Sequence, residues 1–460
     1  MTNVPGKTEY GLASVGLHVT RDFSNFLATF RYENLPDAAI HQARRGVLDW
    51  IGCALAGSRH KNIEKLISVL KSAGGGDQAH IFGHNKPKLG QLEATIANGQ
   101  MGHLFDYDDT HMGGVILHAS SPILPALFAL ADRGGIDGRR LIAAYAAGFE
   151  AGVRIGQAAP AHHDGGWHLT GTLGTIAAGA ACARLLALEP TQMMHAIGLA
   201  ATQASGMQQN RGTSAKSFHA GKAASNGLLA ALLAQAGFDS SHEIIEGRYG
   251  FCSIYSSVSK PEVVLDALGS RWEIGNNGYK PYACGVVLHP AIDAMVALAE
   301  RAPLEPAKIA SVELCVHPHM VKITGVREPK TGLQSKFSVY HSAAVAYLDR
   351  TAGLAQYTDA RATAPEVVAL REKVAVTTDE NFRRDQAHAA IVTLSGERHE
   401  AEVAHASGTI DNPMPDSAIE AKFLANATPA IGAERAGELA FHVWRLETLP
   451  DMRTLVALAA

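Results

Sequence analysis

From residue 36 to about 272, apolar positions recur at helical spacing. Pro36 opens a helix that carries Ala39, Ala43, Val47 and Ile51 on one face, and Gly57 ends it. The same periodicity predicts helices at 61–73, 91–102, 121–133, 138–157, 171–187, 190–206 and 218–236. Several carry glycine in their interior: Gly148, Gly152, Gly174, Gly179 and Gly227. Each such glycine costs roughly 1 kcal/mol against alanine, so their repetition predicts backbones packed very close together. Two polar loops, 104–120 and 159–168, are rich in Gly, His and Asp. Polar loops between packed helices are where sites usually lie.

After Trp272 the period changes from helical to alternating. SVELCV at 311–316, VAVTT at 374–378 and IVTLS at 391–395 alternate with period two, and Gly396 separates the last from HEAEVAHA as a hairpin. FSVYHSAAVAYLD at 337–349 and PEVVALREKV at 365–374 read as helices between them. The predicted organisation is mainly α: a helical part at 1–272, an inserted α+β module at 273–407, and a return to the helical part at 408–460. The module, at about 135 residues, has an ordinary domain size.

Composition narrows the class without naming a reaction. Hydrophobic residues make up 47% of 460 and charged residues 18%, enough for a large core and too apolar for disorder. A formal net charge of -4 gives no reason to expect nucleic acid as a partner. Cys53, Cys182, Cys252, Cys284 and Cys315 are scattered and form no CxxC pair. A disulfide framework and a zinc ribbon are therefore not expected, and a reducing, cytoplasmic compartment fits. No basic-then-apolar leader opens the chain. GTLGTIAAGAACARLLAL comes nearest to membrane-spanning length, but its Gly and Ala content reads as a buried core helix, so no membrane is expected.

Four polar clusters could carry chemistry. The densest, HLFDYDDTHMGGVILHASSP, holds His103, Asp106, Asp108, Asp109, Thr110, His111 and His118. Such residues can bind a divalent metal, position protons in a metal-free acid/base site, or simply form an Asp-rich capping turn. In HHDGGWHLTGTLGT, His168 precedes a Gly-rich helix with Thr170 and Thr172 in its first turn. That helix start offers free N–H groups and a positive dipole end to a carboxylate. His162 and His163 read as solvated loop residues. In GTSAKSFHAGKAASNG, Lys216 and His219 share one face at a helix start, where the dipole disfavours a lysine. YKPYACGVVLHPAIDA holds Lys280, Tyr282, Cys284 and His289. No base marks Cys284 as a nucleophile, and packing is its simpler reading. GxSxG, Walker and HExxH motifs are absent, and the AGGGD run lacks the strand a phosphate cradle needs.

Taken together and in order, these blocks resemble the MmgE/PrpD family. The resemblance rests on LDWIGCALAG at 48–57, ANGQMGHLFDYDDTH at 97–111, GWHLTGTLGT at 166–175, KSFHAGKAASNG at 216–227, YKPYACGVVLHPAIDA at 279–294, SKFSVYHSAAVAYLD at 335–349 and DNPMPDSAIEAKF at 411–423. It implies a large all-helical domain with an inserted, smaller α+β lid, an active site between them, no metal or organic cofactor, and a homodimer. The implied activity is proton abstraction α to a carboxylate of a small polycarboxylate, followed by loss of water, epimerisation or decarboxylation. A metal-dependent hydrolase and a non-catalytic polycarboxylate binder are the readings from other classes. By position, Asp106, Thr110, His118 and His168 match the family's acid/base groups. Lys216 and Lys280 match its carboxylate-binding lysines, with His219 and Thr170 beside them. Two departures weigh against cis-aconitate decarboxylation: no tyrosine precedes the KFS segment after Val316, and Gly285 stands where a histidine would follow the lysine.

Overall fold

Helices carry most of the architecture, and they begin earlier than the periodicity predicts. The computed structural model describes residues 18–85, 88–301 and 303–460; the reading of the leader falls largely on 1–17, outside the described residues. The helical part opens with α1 (Val19–Thr29), α2 (Asp37–Gly57) and α3 (Lys61–Ala73). A short pair, β1 (Ala79–His80) and β2 (Lys88–Leu89), precedes α4 (Gln91–His103) and β3 (Thr110–His111). Then come α5 (Ser120–Ala131), α6 (Gly138–Ala158), α7 (Leu169–Leu185), α8 (Pro190–Ala201), α9 (Ser214–Gln235) and α10 (Phe251–Tyr255).

At the centre lies α7, packed by α5, α6, α8 and α9. It is the GTLGTIAAGA segment, buried on nearly every side. Among the described residues no helix is long and apolar enough to cross a membrane. The glycines work as the pattern predicts. A Cβ on Gly227 would stand 2.5 Å from the Ala178 Cβ across the α7–α9 contact, and one on Gly174 would stand 2.7 Å from Pro122 Cγ. The α4–α9 contact is as tight, with a Cβ on Gly99 only 2.7 Å from Gly221 Cα. Substitution there would push backbones apart.

β4 (Asn277–Gly278) and α11 (His289–Arg301) follow. A mixed four-stranded sheet, order β6-β5-β7-β8, is built from β5 (Ile309–Val316), β6 (Val374–Thr378), β7 (Ala387–Thr393) and β8 (Arg398–Val403). β5 runs parallel to β6 and antiparallel to β7, and β7–β8 is the hairpin. The hairpin strand ends at Thr393, two residues short of the predicted IVTLS, because Leu394 and Ser395 enter the turn. Helices α12 (Pro318–Thr324), α13 (Gly332–Ser335), α14 (Val339–Asp349), α15 (Asp359–Ala362) and α16 (Pro365–Arg371) lie between the strands. α11 packs on α14, β7 and β8, closing a second hydrophobic cluster. From Asp416 the chain is helical again as α17 (Asp416–Ile431), α18 (Ala433–Val443) and α19 (Arg453–Ala459), and α17 packs on α2 in the first core.

Candidate active site

A two-residue ladder sets the site. β3 pairs antiparallel with β4, Thr110 opposite Gly278 and His111 opposite Asn277. This pairing brings Lys280 beside the turn that follows α4, across 174 residues of chain. In that turn Asp106 adopts a left-handed backbone, φ 54°, a conformation Asp tolerates better than most residues. Its Oδ1 accepts from Lys280 Nζ at 2.9 Å and from Lys216 Nζ at 3.1 Å, and lies 3.6 Å from His118 Nε2. Lys280 also donates to the Asp106 carbonyl at 2.8 Å. Burial opposes ionisation of Asp106, but Lys216 and Lys280 outweigh it and hold the carboxyl well below the usual range. The lysine that the α9 dipole disfavours is thus compensated by a facing carboxylate.

Behind Asp106 the imidazoles are tightly anchored. His118 Nδ1 lies 2.9 Å from the Asp109 carbonyl and 3.1 Å from Thr110 Oγ1. A carbonyl only accepts, so the proton sits on Nδ1 and Nε2 faces Asp106. Thr170 Oγ1 accepts from the His118 backbone N–H at 3.3 Å. Thr110 and Thr170 are both buried, so their hydroxyls position His118. His168 is the N-cap residue of α7, and its Nδ1 lies 3.0 Å from Nδ1 of His219. Burial, then Lys216, holds His168 well below the ordinary histidine range, and the same two causes lower His219.

The expected site residues therefore divide. Asp106, His118, Lys216 and Lys280 converge, with the tilted pair His168 and His219 alongside, while Thr110 and Thr170 act through His118.

Asp108 and Asp109, named in the densest cluster, had no role assigned from the sequence, and Lys336 was not singled out at all. Asp108, fully buried, places both oxygens 3.0 Å from His103 Nδ1 and accepts from Ser121 Oγ at 2.7 Å. Lys336, from the SKFS block, donates to the Phe105 and Ala283 carbonyls and is lowered to about 8 by burial. Asp109 is raised to about 8 by burial and by Asp49, while accepting from Ser120 and Asn277. The DYDDT density pointed to both acids; nothing local assigned them their different partners.

A cation is the competing occupant. His103, Asp106, Asp108 and His118 each bring one ligand atom within 4.8 Å of the others. Two ammonium groups already hold Asp106, however, and a divalent ion would add a third positive centre against them. The donor set fits proton handling better. Cys284 is buried, and burial pushes its thiol up to about 11, which suits packing. A Cβ on Gly285 would meet only Val287 Cγ2, at 3.8 Å, so room stands where a histidine was expected from decarboxylase-like members. Tyr340 lies in the second core under the Arg327 guanidinium.

His162 departs from its reading as a solvated loop residue. It is 1% exposed, stacked on Phe251 and Tyr255, with Nε2 2.8 Å from Thr172 Oγ1. Burial lowers it to about 4. A depressed histidine contributes stability that is complete above the unfolded value near 6.5 and is lost as pH falls toward the folded one. Wild type should therefore lose about 2 kcal/mol more than His162→Phe between pH 7 and pH 5. Urea unfolding at the two pH values measures this, and equal losses would refute it.

Comparisons with known proteins identify the family. The model of the MmgE/PrpD N-terminal domain matches residues 21–264, and that of the MmgE/PrpD C-terminal domain matches 282–447. The chain is similar to cis-aconitate decarboxylase of Aspergillus terreus (strain NIH 2624), 29% identical over 96% of this chain and 95% of the relative. It is 28% identical to a cis-aconitate decarboxylase-like protein of Aspergillus oryzae, over 96% of this chain and 97% of the relative. Human cis-aconitate decarboxylase is 24% identical over 96% of this chain and 94% of its own. With both domain models matched in order along nearly the whole chain, this protein belongs to the MmgE/PrpD family.

Proposed function

We propose that the protein is a lyase acting on a small di- or tricarboxylic acid without a metal, removing a proton α to a carboxylate and expelling water from the neighbouring carbon. The observation that carries this reading is the convergence of Lys216, Lys280 and His118 on Asp106. A proton α to a carboxylate is weakly acidic because its loss adds negative charge to an anion. Ammonium groups placed beforehand offset that charge without reorganisation. His118, with Nε2 facing the site, takes the proton. The C–H electron pair becomes the carbon–carbon π bond as the C–O bond breaks, and His168, which takes up a proton when the substrate's carboxylates bind beside it, protonates the departing hydroxyl to give water. The lysines and the α7 N-terminus bind the remaining carboxylates. The α+β module acts as a lid, with Lys280 and Lys336 as its cationic inner face.

Decarboxylation of cis-aconitate is the second reading. The activity named for the relatives favours it; the space at Gly285 weighs against it.

NMR of the purified, chelator-treated protein in deuterated water, with 2-methylcitrate, citrate, cis-aconitate and iminodisuccinate, tests both. Formation of an alkene from a hydroxy acid is the expected result. Loss of CO2 would establish the second reading, deuterium uptake without net loss an epimerase. Unchanged spectra with the fold intact would overturn the substrate class.

A further inference from the structure

Lys336 follows directly on α13 in the α+β module and takes no part in the proposed proton transfers. Its Nζ donates out of the module to the Phe105 carbonyl, and within it to the Ala283 carbonyl at 2.6 Å. The ring centroids of Phe105 and Tyr357 each lie 5.5 Å from the same Nζ. Carbonyl oxygens and ring faces both carry negative potential, so this seat favours an ammonium group.

What that ammonium holds is the turn of the site. Phe105 immediately precedes Asp106, the residue with the left-handed backbone. The Asp106 carbonyl accepts from Lys280 at 2.8 Å, so two successive carbonyls are each taken by an ammonium group of the module. Ala283, the other acceptor, stands three residues after Lys280 in the same segment. Lys336 therefore ties the stretch that carries Asp106 to the stretch that carries Lys280. The next residue, Phe337, reaches the chain that leads into α9 and Lys216: a Cβ on Gly212 would stand 3.9 Å from its Cε2. Even for Asp the left-handed conformation is disfavoured, and it persists where the surroundings over-determine it. A lysine that merely covered the seam would lay its stem on apolar surface and leave its ammonium in water. Lys336 instead turns its ammonium onto backbone.

We propose that Lys336 is a positioning residue, a strap from the module that fixes the Asp106 turn and so sets Lys216 and Lys280 for the substrate's carboxylates. It acts through the Phe105 and Ala283 carbonyls and makes or breaks no covalent bond. Asp106 is the point at which the two binding lysines meet, so a turn that loosens there loosens both. The inference deepens the lyase reading above and rests on it for its kinetic arm alone.

Two variants test it: Lys336→Met removes the donor and keeps an apolar stem, and Lys336→Arg keeps a cation with N–H groups for both carbonyls. Hydrogen–deuterium exchange on the substrate-free protein is the first readout. In Lys336→Met the backbone amides of 104–109 should exchange about tenfold faster, the scale of one lost charge-assisted bond. Those of α18, which packs on α2, α17 and α19, should keep the wild-type rate. Lys336→Arg should recover part of the slow exchange. On whichever acid of the panel the wild type converts, Lys336→Met should raise KM by about tenfold, from the same lost bond, and Lys336→Arg should again recover part. Unchanged exchange at 104–109, or equal acceleration along the whole chain, would overturn the strap. An active wild type whose Lys336→Met variant keeps its KM would overturn it too. A wild type that converts none of the acids would remove the lyase reading, and the exchange result would still decide the strap.

Discussion

His118→Asn should lower kcat by about 10³-fold, in the middle of the range a well-placed acid or base contributes, with KM nearly unchanged. The substitution separates anchoring from chemistry. Asparagine can still donate to the Asp109 carbonyl, the bond that holds Nδ1 at 2.9 Å, so the 104–120 loop should keep its shape. What disappears is Nε2, which faces the Asp106 carboxylate 3.6 Å away. Lys216 and Lys280 keep their contacts with Asp106, so carboxylate binding survives and the loss falls on the chemical step. Steady-state kinetics on the converted acid decide it. A variant within about threefold of wild type in kcat, well outside the expected range, would remove His118 from the reaction.

Lys422→Met should destabilise the fold by about 3–5 kcal/mol, the cost of leaving a buried charge without its partner. Lys422 Nζ lies 2.6 Å from Asp49 Oδ1, donates to the Tyr107 carbonyl at 2.7 Å, and stands 3.9 Å from the Tyr107 ring centroid. The Asp49 side chain has no solvent exposure, and its other oxygen accepts the Asp109 backbone N–H at 3.0 Å. Burial raises the Asp49 carboxyl, and Lys422 works against that rise. Without the lysine, Asp49 would take up a proton, which caps the loss near the upper figure. Adding Asp49→Leu should recover much of it, because two apolar groups can replace a buried pair at little net cost. Urea midpoints of wild type, single and double variants measure the effect. A single variant as stable as wild type would show that the pair contributes nothing.

The fold was legible where one period ran long enough. α2, α3, α6, α7 and α9 fall within a few residues of their predicted spans because apolar spacing, Pro36 and Gly57 all agree. α8 stops at Ala201, five residues before its predicted end, for a tertiary reason: the chain must turn so that the Gly206 carbonyl accepts the His168 N–H at 3.0 Å. α11 was hidden because its first residues, His289 and Pro290, were read as the end of a polar cluster. The site was legible as a density of Asp, His and Lys, but roles were not. Asp106, Asp108 and Asp109 sit within four positions, yet one faces two lysines, one holds His103, and one is buried beside Asp49. A single left-handed residue and a two-residue ladder sort them, and neither has a period to detect.

The Asp49–Lys422 pair also dates the protein's birth. Its members are separated by 373 residues, which a ribosome adds in roughly 20–75 s at ordinary elongation speeds. Through that interval the nascent helical part carries an acid built for burial and no counter-ion to bury it with. The helix that would cover it, α17, is still unmade. The α2 face that α17 covers in the finished fold therefore stays open until α17 has been made. The two halves of the helical core are thus joined in time as well as in space by one long-range pair.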